Sequence, residues 1–185
     1  MIPDAVPPGR PESERRVSAL LRRLPDDCWV YYEPLVVNRY PDFVVLIPDR
    51  GLLVIEVKGW HATTILGGDL TNVLLQTGRA TNPIRQARDY MLTLMEKCRR
   101  HSLSHVLTHP DGPNQGRFLF PFGYVALLSQ ITEDQLRHHS SGDLRRILPS
   151  EHILTADEFD LWQDLSGAAL KKRLASFFDP SWPIA

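Results

Sequence analysis

Three charged residues accompany two neighbouring apolar, β-branched runs that lie between residues 43 and 58. Asp42 precedes the first run, and Glu56 and Lys58 lie near the end of the second. The intervening turn 48–51 carries Pro and Gly, which predicts a β-hairpin. Residues two apart on a strand point to the same face, and simple pairing of the hairpin places Asp42 beside them. The pattern predicts two carboxylates and one ammonium group at one end of a sheet.

A carboxylate pair that is withdrawn from water is costly unless positive charge neutralises it. A divalent cation provides that charge, and hard cations prefer oxygen ligands. The alternative is a solvent-facing Glu56–Lys58 pair on an amphipathic strand, with Asp42 as a turn residue. The hairpin by itself leaves both interpretations open.

Two helices flank this hairpin in the sequence, and each carries a polar residue that needs an explanation. Apolar residues at helical spacing predict a helix over 12–24, and Glu14 lies on its apolar face. A second helix begins at Asn82-Pro83, as N-cap and first helical residue, and places Gln86 and Tyr90 one turn apart. The alternatives are a first-turn Glu favoured by the helix dipole and a half-buried boundary pair without a special partner.

These motifs, in this order and on these elements, resemble the nuclease-related domain family of the restriction-endonuclease-like superfamily. The resemblance covers roughly residues 12 to 130. It rests on a first-helix Glu three residues before Val, an Asp followed by Ile-Glu-Val-Lys, and a later helical Gln, which here are Glu14 to Val17, Asp42, Ile55 to Lys58 and Gln86. Pro41 before Asp42 agrees with the signature of the superfamily, and the spacing of Gln86 and Tyr90 is similar to the Gln-x-x-x-Tyr motif of RecB-type nucleases. Trp60-His61 departs from the family pattern, in which a polar residue and a Gly-rich turn follow the Lys.

The resemblance implies an α/β fold in which a central mixed sheet is flanked by helices, with the core order αβββαβ. It also implies Mg²⁺- or Mn²⁺-dependent hydrolysis of phosphodiester bonds. Asp42 and Glu56 would bind the metal with the backbone carbonyl of Val57, and Glu14 would complete the acidic pocket directly or through a bound water. Lys58 would position or deprotonate the attacking water.

The resemblance further implies that Gln86 and Tyr90 orient the nucleophile or hold substrate phosphate. DNA is the expected substrate, with a fused or associated helicase or ATPase module as a further expected partner in DNA processing, repair or defence. Candidate phosphate contacts are the basic residues of the two helices, namely Arg15, Arg16, Arg85 and Arg88, with Lys97, Arg99 and Arg100. The alternatives are a catalytically idle nucleic-acid-binding or scaffolding module and, without a supporting nucleophile motif, a phosphatase-like hydrolase.

Composition and length bound these expectations. The chain has 185 residues, 43% of them hydrophobic, and a net charge of −1, which is unusual for a protein that binds nucleic acid without a partner. We expect a flexible arm over 1–11, one nuclease-like domain over 12–178 and a tail or linker over 179–185. The absence of a signal-peptide pattern, and two cysteines without metal or redox spacing, favour a cytoplasmic location.

Overall fold

The computed structural model describes residues 2–4 and 6–178. Its eight strands are β1 Trp29–Tyr32, β2 Phe43–Ile47, β3 Gly51–Lys58, β4 Ile65–Gly68, β5 Asn72–Leu75, β6 Gly78–Thr81, β7 Phe122–Leu128 and β8 Ile153–Thr155. Its five α-helices are α1 Glu12–Leu21, α2 Pro83–Arg100, α3 Glu133–Arg137, α4 Ala156–Trp162 and α5 Gly167–Leu174. Short 3₁₀ turns at 62–64, 104–106, 144–146, 150–152 and 175–177 connect them.

A mixed five-stranded sheet in the order β1-β2-β3-β7-β8 forms the centre of the molecule. The first three strands pair antiparallel, and β7 and β8 run parallel to β3. Helices flank this sheet, so the predicted α/β fold with a restriction-endonuclease-like core is confirmed. In β3, the central strand, six of the eight residues are buried, because neighbouring strands and covering helices enclose it.

The two faces of this sheet are covered by different helices. Val45, Leu53 and Ile55 share one buried cluster with residues of α1, α4 and α5. Val44 and Val54 point to the other face, where they pack against Met91 of α2. Glu56 lies two residues after Val54 and therefore belongs to the face that α2 covers. The first turns of α1 and α2 thus approach the same strand end from opposite sides.

Short apolar runs around Gly67-Gly68 and Asp69 predict an irregular hairpin over 63–78. The structure has instead a second, three-stranded sheet in the order β4-β5-β6. Asp69 forms the first turn, because its Oδ1 accepts hydrogen bonds from the N–H groups of Thr71 and Asn72 at 2.6 and 2.8 Å. The additional strand is β6. Its sequence Gly-Arg-Ala-Thr has no alternating apolar pattern, so its pairing with β5 leaves no signal in the sequence.

Apolar and aromatic residues over 28–37 predict a first strand of that span, with a break or edge at Glu33-Pro34, but the strand in the structure is shorter. It ends at Tyr32, and the chain then makes a tight turn over 36–39, in which Val36 and Arg39 exchange backbone hydrogen bonds of 2.8 and 3.1 Å. The central residues Val37 and Asn38 have φ angles of 49° and 62°. Positive φ at both central positions is typical of a type I′ turn. The apolar residues at 35–37 explain the overextended prediction.

The N-terminal arm predicted to be flexible contacts the sheet at Ile2. Its N–H donates to the carbonyl of Val30 at 2.7 Å, and its carbonyl accepts from the N–H of Tyr32 at 2.9 Å. Val6 packs against the cluster that α1 covers. The flexibility of the arm stays a prediction, and the tail or linker expected over 179–185 lies outside the described residues.

Both cysteines are free and partly buried. Burial raises the pKa of the Cys28 thiol to about 11, with a further contribution from its hydrogen bond to Asp27, and burial also raises the pKa of Cys98. Within residues 2–4 and 6–178, no helix has the length and apolar character that crossing a membrane requires.

Candidate active site

The site lies where β2 begins and β3 extends beyond its pairing with β2. The backbone pairing of the two strands stops at Phe43 opposite Ile55. Beyond this pair, the side chain of Asp42 bonds to β3 in place of the backbone of β2. Asp42 Oδ2 accepts a hydrogen bond of 2.6 Å from the N–H of Val57. The N–H and C=O of one strand residue point to the same neighbouring strand, so the Val57 carbonyl also faces the side from which β2 has departed. This strand end therefore presents a carboxylate and a backbone carbonyl together.

Glu56 and Lys58 lie next to each other on the face that α2 covers. Lys58 Nζ donates to Glu56 Oε1 at 2.6 Å, and the side chain of Glu56 is only 3% exposed. The other carboxylate oxygen, Oε2, is buried and has no hydrogen-bond partner among the described residues. A buried carboxylate oxygen without a partner carries a desolvation cost, which a bound cation would offset.

The backbone of Lys58 is held from the β7 side. Ser129, which follows β7 and is buried, donates to the Lys58 carbonyl from its N–H at 3.0 Å and from its hydroxyl at 3.3 Å. The ring of Trp60 lies 5.8 Å from Lys58 Nζ, which is within the range of a cation–π contact. Trp60 directly follows the Lys58-Gly59 pair, where sequence reasoning expected a polar residue.

The two carboxyl groups are held in an environment that disfavours their charge. Burial raises the pKa of Asp42 to about 7, with a further increase from the negative charge of Glu56. Burial also raises the pKa of Glu56, against the opposing effect of Lys58. One ammonium group therefore does not compensate two buried carboxylates, and the local electrostatics favour an additional cation.

Glu14 reaches this strand end from α1, on the opposite face of the sheet. The hydroxyl of Tyr32 donates to Glu14 Oε2 at 2.6 Å, and the charge of Glu14 contributes to the raised pKa values of Asp42 and Glu56. The start of α1 lies close to β3, because a Cβ at Gly59 would stand 3.4 Å from Ser13 Oγ. Glu14 is thus near the two carboxylates and tied to the first strand.

No three His, Cys, Asp or Glu side chains within residues 2–4 and 6–178 are placed to hold one metal ion together. A metal at this site would therefore use Asp42 and Glu56, with the remaining positions filled by the Val57 carbonyl, water or substrate. Mg²⁺ is commonly bound in this manner, by one or two carboxylates with retained waters and substrate phosphate. The chemistry of the donor set fits Mg²⁺ or Mn²⁺, with Glu14 acting through a bound water.

Gln86 and Tyr90 lie on the first turns of α2, over the same face as Glu56. Gln86 Nε2 donates to the hydroxyl of Tyr90 at 3.2 Å. Tyr90 packs against the cluster that contains Val44 and Val54, and Val54 lies two residues before Glu56 on β3. Both residues line a cavity of about 460 Å³. Both residues are half-buried, and their polar ends bond to each other at this cavity, so their role in the site stays a prediction.

The arginines proposed to contact nucleic acid fall into two groups. Arg15 forms an ion pair with Glu12, and Arg16 binds Asp160 at 2.6 Å, with its guanidinium 5.1 Å from the ring of Phe159. Both belong to α1. Arg85 and Arg88 belong to the start of α2 beside Gln86, and Arg85 lies 3.7 Å from Asp89. The α2 pair lines surface cavities, whereas Arg16 has a structural partner on α4.

Further along α2, the guanidinium of Arg99 lies over the ring of Phe118 at 5.3 Å, and Arg100 binds Glu96 at 2.6 Å. Lys97 lines a separate surface cavity. Sequence reasoning missed Arg39, which lines the cavity of Gln86 and Tyr90. The sequence does not indicate a role for Arg39, because the apolar residues over 28–37 predict a strand and Arg39 only follows that apolar run.

Comparison with protein families gives one match. The nuclease-related domain family matches residues 11–121, which is more than half of the chain. The matched range contains all six residues proposed for catalysis, namely Glu14, Asp42, Glu56, Lys58, Gln86 and Tyr90. Comparison with curated proteins and with solved structures gives no match.

Proposed function

Because the chain belongs to the nuclease-related domain family, we propose that it is a metal-dependent nuclease that hydrolyses phosphodiester bonds of DNA. The observation that carries this proposal is the buried Oε2 of Glu56, which has no hydrogen-bond partner among the described residues. It lies on the strand end where Asp42 and Lys58 also converge. A site that served only stability would pair this oxygen or replace it by an apolar group.

Asp42, Glu56 and the Val57 carbonyl would hold Mg²⁺ or Mn²⁺. Such an ion, when bound, polarises a phosphoryl oxygen and lowers the pKa of water. Lys58 positions the attacking water or accepts its proton, and the ammonium group stabilises the negative charge that develops on the phosphoryl oxygens. The hydrogen bonds from the N–H and hydroxyl of Ser129 to the Lys58 carbonyl hold the backbone that carries this side chain.

Glu14, Gln86 and Tyr90 position groups around this centre from the two covering helices. Glu14 is oriented by the hydroxyl of Tyr32 and would accept a hydrogen bond from an ordered water. Gln86 and Tyr90 present an amide and a hydroxyl from the opposite face, and both groups can donate to a phosphate oxygen. The proposed site therefore combines hydrogen-bond donors for substrate phosphate with oxygen ligands for the cation at one strand end.

The competing proposal is a nucleic-acid-binding or scaffolding module in which this site is idle. The net charge of −1 supports a function alongside a partner, such as a fused helicase module, that supplies more phosphate contacts. The presence of Asp42, Glu56 and Lys58 together favours the catalytic proposal, because loss of any one of them would suffice to inactivate the site.

Cleavage and metal binding test the proposal separately. Labelled linear, nicked-circular and single-stranded DNA is incubated with the full chain in Mg²⁺, Mn²⁺ or EDTA, and Mn²⁺ binding is measured by calorimetry. We compare Glu56→Gln and Lys58→Ala with Glu151→Gln, which removes an exposed carboxylate before β8. We expect metal-dependent cleavage that both site variants lose and the control retains, with Mn²⁺ binding lost in Glu56→Gln.

The outcomes separate the two proposals. Absence of cleavage in every metal, together with Mn²⁺ binding that Glu56→Gln does not change, would overturn the catalytic proposal and favour the idle module. Mn²⁺ binding without cleavage would place the metal site correctly and direct attention to a missing partner. Circular dichroism spectra of the variants establish that each remains folded.

A further inference from the structure

A polar cleft extends from Gln86 and Tyr90, and its other lining residues have no role in the reaction described above. Its volume is about 460 Å³, within the range of pockets that hold small ligands. The turn 36–39 forms one wall through Arg39, and the small sheet forms the other through Asn72 and Thr81. The first turns of α2 form the floor, where Gln86 and Tyr90 lie.

The charges of this cleft are unevenly compensated. Arg85 lies 3.7 Å from Asp89, and both line the cleft. Arg39 is exposed, and within residues 2–4 and 6–178 its side chain has neither an ion-pair partner nor a hydrogen-bond partner. A guanidinium offers five N–H donors in a planar fork that matches phosphate geometry. The cleft therefore combines one free bidentate anion donor with neutral hydrogen-bonding side chains.

The chain holds Arg39 in this position at an energetic cost. Val37 has a φ of 49°, and a left-handed backbone is strained for a β-branched residue. Two backbone hydrogen bonds between Val36 and Arg39 close the turn despite this strain. Strained backbone of this kind concentrates at ligand-binding sites. The turn directs residue 39 toward α2 rather than along the sheet edge.

Arg39 is also close to the carboxylates in the chain. Asp42 follows Arg39 by three positions, so their Cα atoms lie within about 10 Å of each other. Consecutive nucleotides of one strand rise by about 3.4 Å along a duplex axis. If one phosphate of a strand lies at Asp42 and Glu56, another phosphate a few nucleotides along the same strand is therefore near Arg39.

We infer that this cleft binds the sugar–phosphate backbone of one nucleic-acid strand next to the scissile bond, with Arg39 as its phosphate contact. The inference rests on the proposed nuclease function and adds the substrate path to it. Asn72 and Thr81 contribute hydrogen bonds to sugar or phosphate oxygens. Contacts to the backbone carry no sequence information, so binding in the cleft is independent of sequence.

Binding without cleavage tests the inference. The full chain in EDTA is titrated into fluorescein-labelled single-stranded oligonucleotides of two sequences, and anisotropy gives the dissociation constant at several salt concentrations. We compare Arg39→Ala and Arg39→Lys with Arg50→Ala. Arg50 is an exposed arginine in the turn between β2 and β3, at the opposite end of the hairpin, and its removal matches the change in net charge.

We expect Arg39→Ala to weaken binding of both sequences about tenfold, as for loss of one charge-assisted phosphate contact. The slope of log binding constant against log salt concentration should become less steep by about 0.7, which is the value for one phosphate contact on a single strand. Arg39→Lys should recover part of the affinity, because it keeps the charge and loses the fork. Arg50→Ala should bind within about twofold of the wild type.

Three outcomes would overturn the inference. They are absence of oligonucleotide binding by the wild type, equal affinities of Arg39→Ala and the wild type, and equal losses in Arg39→Ala and Arg50→Ala. Inorganic phosphate and a deoxynucleoside monophosphate serve as competitors. If either displaces the oligonucleotide at a concentration similar to that of the oligonucleotide, the cleft is a site for a free anion and the strand assignment is wrong.

The cleavage assay keeps the two proposals distinguishable. Binding that depends on Arg39, in a wild-type protein that neither cleaves DNA nor binds Mn²⁺ through Glu56, supports a strand-binding cleft and contradicts the nuclease. Cleavage that depends on Glu56, with binding that is indifferent to Arg39, contradicts only the inference.

Discussion

Glu56 shows how a single residue defines the candidate site. One of its carboxylate oxygens is bound by Lys58, and the other is buried without a partner among the described residues. Lys58 is the nearest positive charge, and the pKa values of both Asp42 and Glu56 remain raised in its presence. Without a bound cation this strand end therefore carries an electrostatic cost, which a cation bound by the two carboxylates would reduce.

This cost predicts a pH dependence of the stability of the metal-free protein. The pKa of Asp42 is about 7 in the folded protein, and its ordinary value, which applies to the unfolded chain, is 3.8. Between these pH values the folded state therefore holds a proton that the unfolded chain has released. The free energy of unfolding therefore decreases as the pH rises from about 4 to about 7, and Glu56 acts in the same direction. At about 1.4 kcal/mol per pKa unit, the decrease amounts to a few kcal/mol.

Urea unfolding in EDTA at pH 5 and pH 8 measures this decrease. The Asp42→Asn variant provides the comparison, because it lacks the titrating group and keeps a similar side-chain volume. We expect a smaller difference between the two pH values in the variant than in the wild type. Identical pH profiles for the two proteins would show that the buried carboxyl does not contribute.

The sequence predicts the placement of these residues better than their surroundings. Asp42, Glu56 and Lys58 converge because the hairpin register follows from the turn and the apolar pattern, both of which are local. The hydrogen bond from Tyr32 to Glu14 joins two elements that are distant in the sequence, so local pattern does not reveal it. The same limit applies to Ser129, which reaches Lys58 only through the parallel pairing of β7.

At the scale of elements, the hairpin of β2 and β3 depends on a close approach by another segment. Gly51 begins β3 with a φ of 134°, and a Cβ at this position would lie 2.1 Å from the carbonyl oxygen of Pro121. The N–H of Leu52 donates to the same carbonyl at 3.0 Å. Gly51 thus permits the segment before β7 to reach the start of β3, which sets the register of the parallel pair.

We predict that Gly51→Ala destabilises the protein much more than Gly67→Ala. Gly67 has a similar φ of 142° but open space around its Cβ position, so its substitution costs only backbone strain, about 1–2 kcal/mol. Gly51→Ala adds a clash with backbone, for about 1–3 kcal/mol more. Urea unfolding of the two variants measures the difference, and equal losses would contradict the role of the close approach.

The strained turn over 36–39 leads to a second prediction at this scale. Asn tolerates the left-handed conformation that Val37 adopts, so Val37→Asn should stabilise the protein by about 1 kcal/mol. Leu35→Asn is the matched control, because residue 35 is an equally exposed apolar residue without a positive φ. Thermal or urea unfolding that shows the same change in both variants would indicate that surface polarity, and not backbone strain, is responsible.

The elements themselves differ in how well the sequence predicts them. The two long helices and the hairpin have strong periodic or turn signals, and the structure contains all three. The turn 36–39 lies within an apolar stretch, and β6 lies within a polar one, so in both cases tertiary pairing overrides the local pattern. These two segments form the walls of the polar cleft, which is why the cleft is invisible in the sequence.

At the scale of the whole molecule, the family match and the folding unit do not coincide. The match ends at residue 121, immediately before β7. This strand pairs with β3 along seven residues, and residues 125–128 are all buried. Phe159, Trp162 and Leu170, on α4 and α5, complete the cluster that α1 also joins. The core that supports the site is therefore shared between the matched and unmatched parts of the chain.

We predict that a fragment of residues 1–121 does not fold. It would expose one side of β3 and remove the helices that cover one face, so too little apolar area remains buried to offset the loss of chain entropy. The fragment and the full chain are compared by circular dichroism and urea unfolding. A cooperative unfolding transition in the fragment, with metal binding retained, would contradict this prediction.

The two cysteines have a practical consequence for the experiments that this molecule invites. Thiols react with maleimides as thiolates, and the raised pKa values of Cys28 and Cys98 keep both almost entirely protonated at neutral pH. A cysteine introduced at an exposed position, such as Thr77 in the turn between β5 and β6, would react first. A fluorophore or spin label can therefore be attached at the tip of the β5–β6 hairpin, whose other end lines the polar cleft at Asn72 and Thr81, while both native cysteines stay in the sequence.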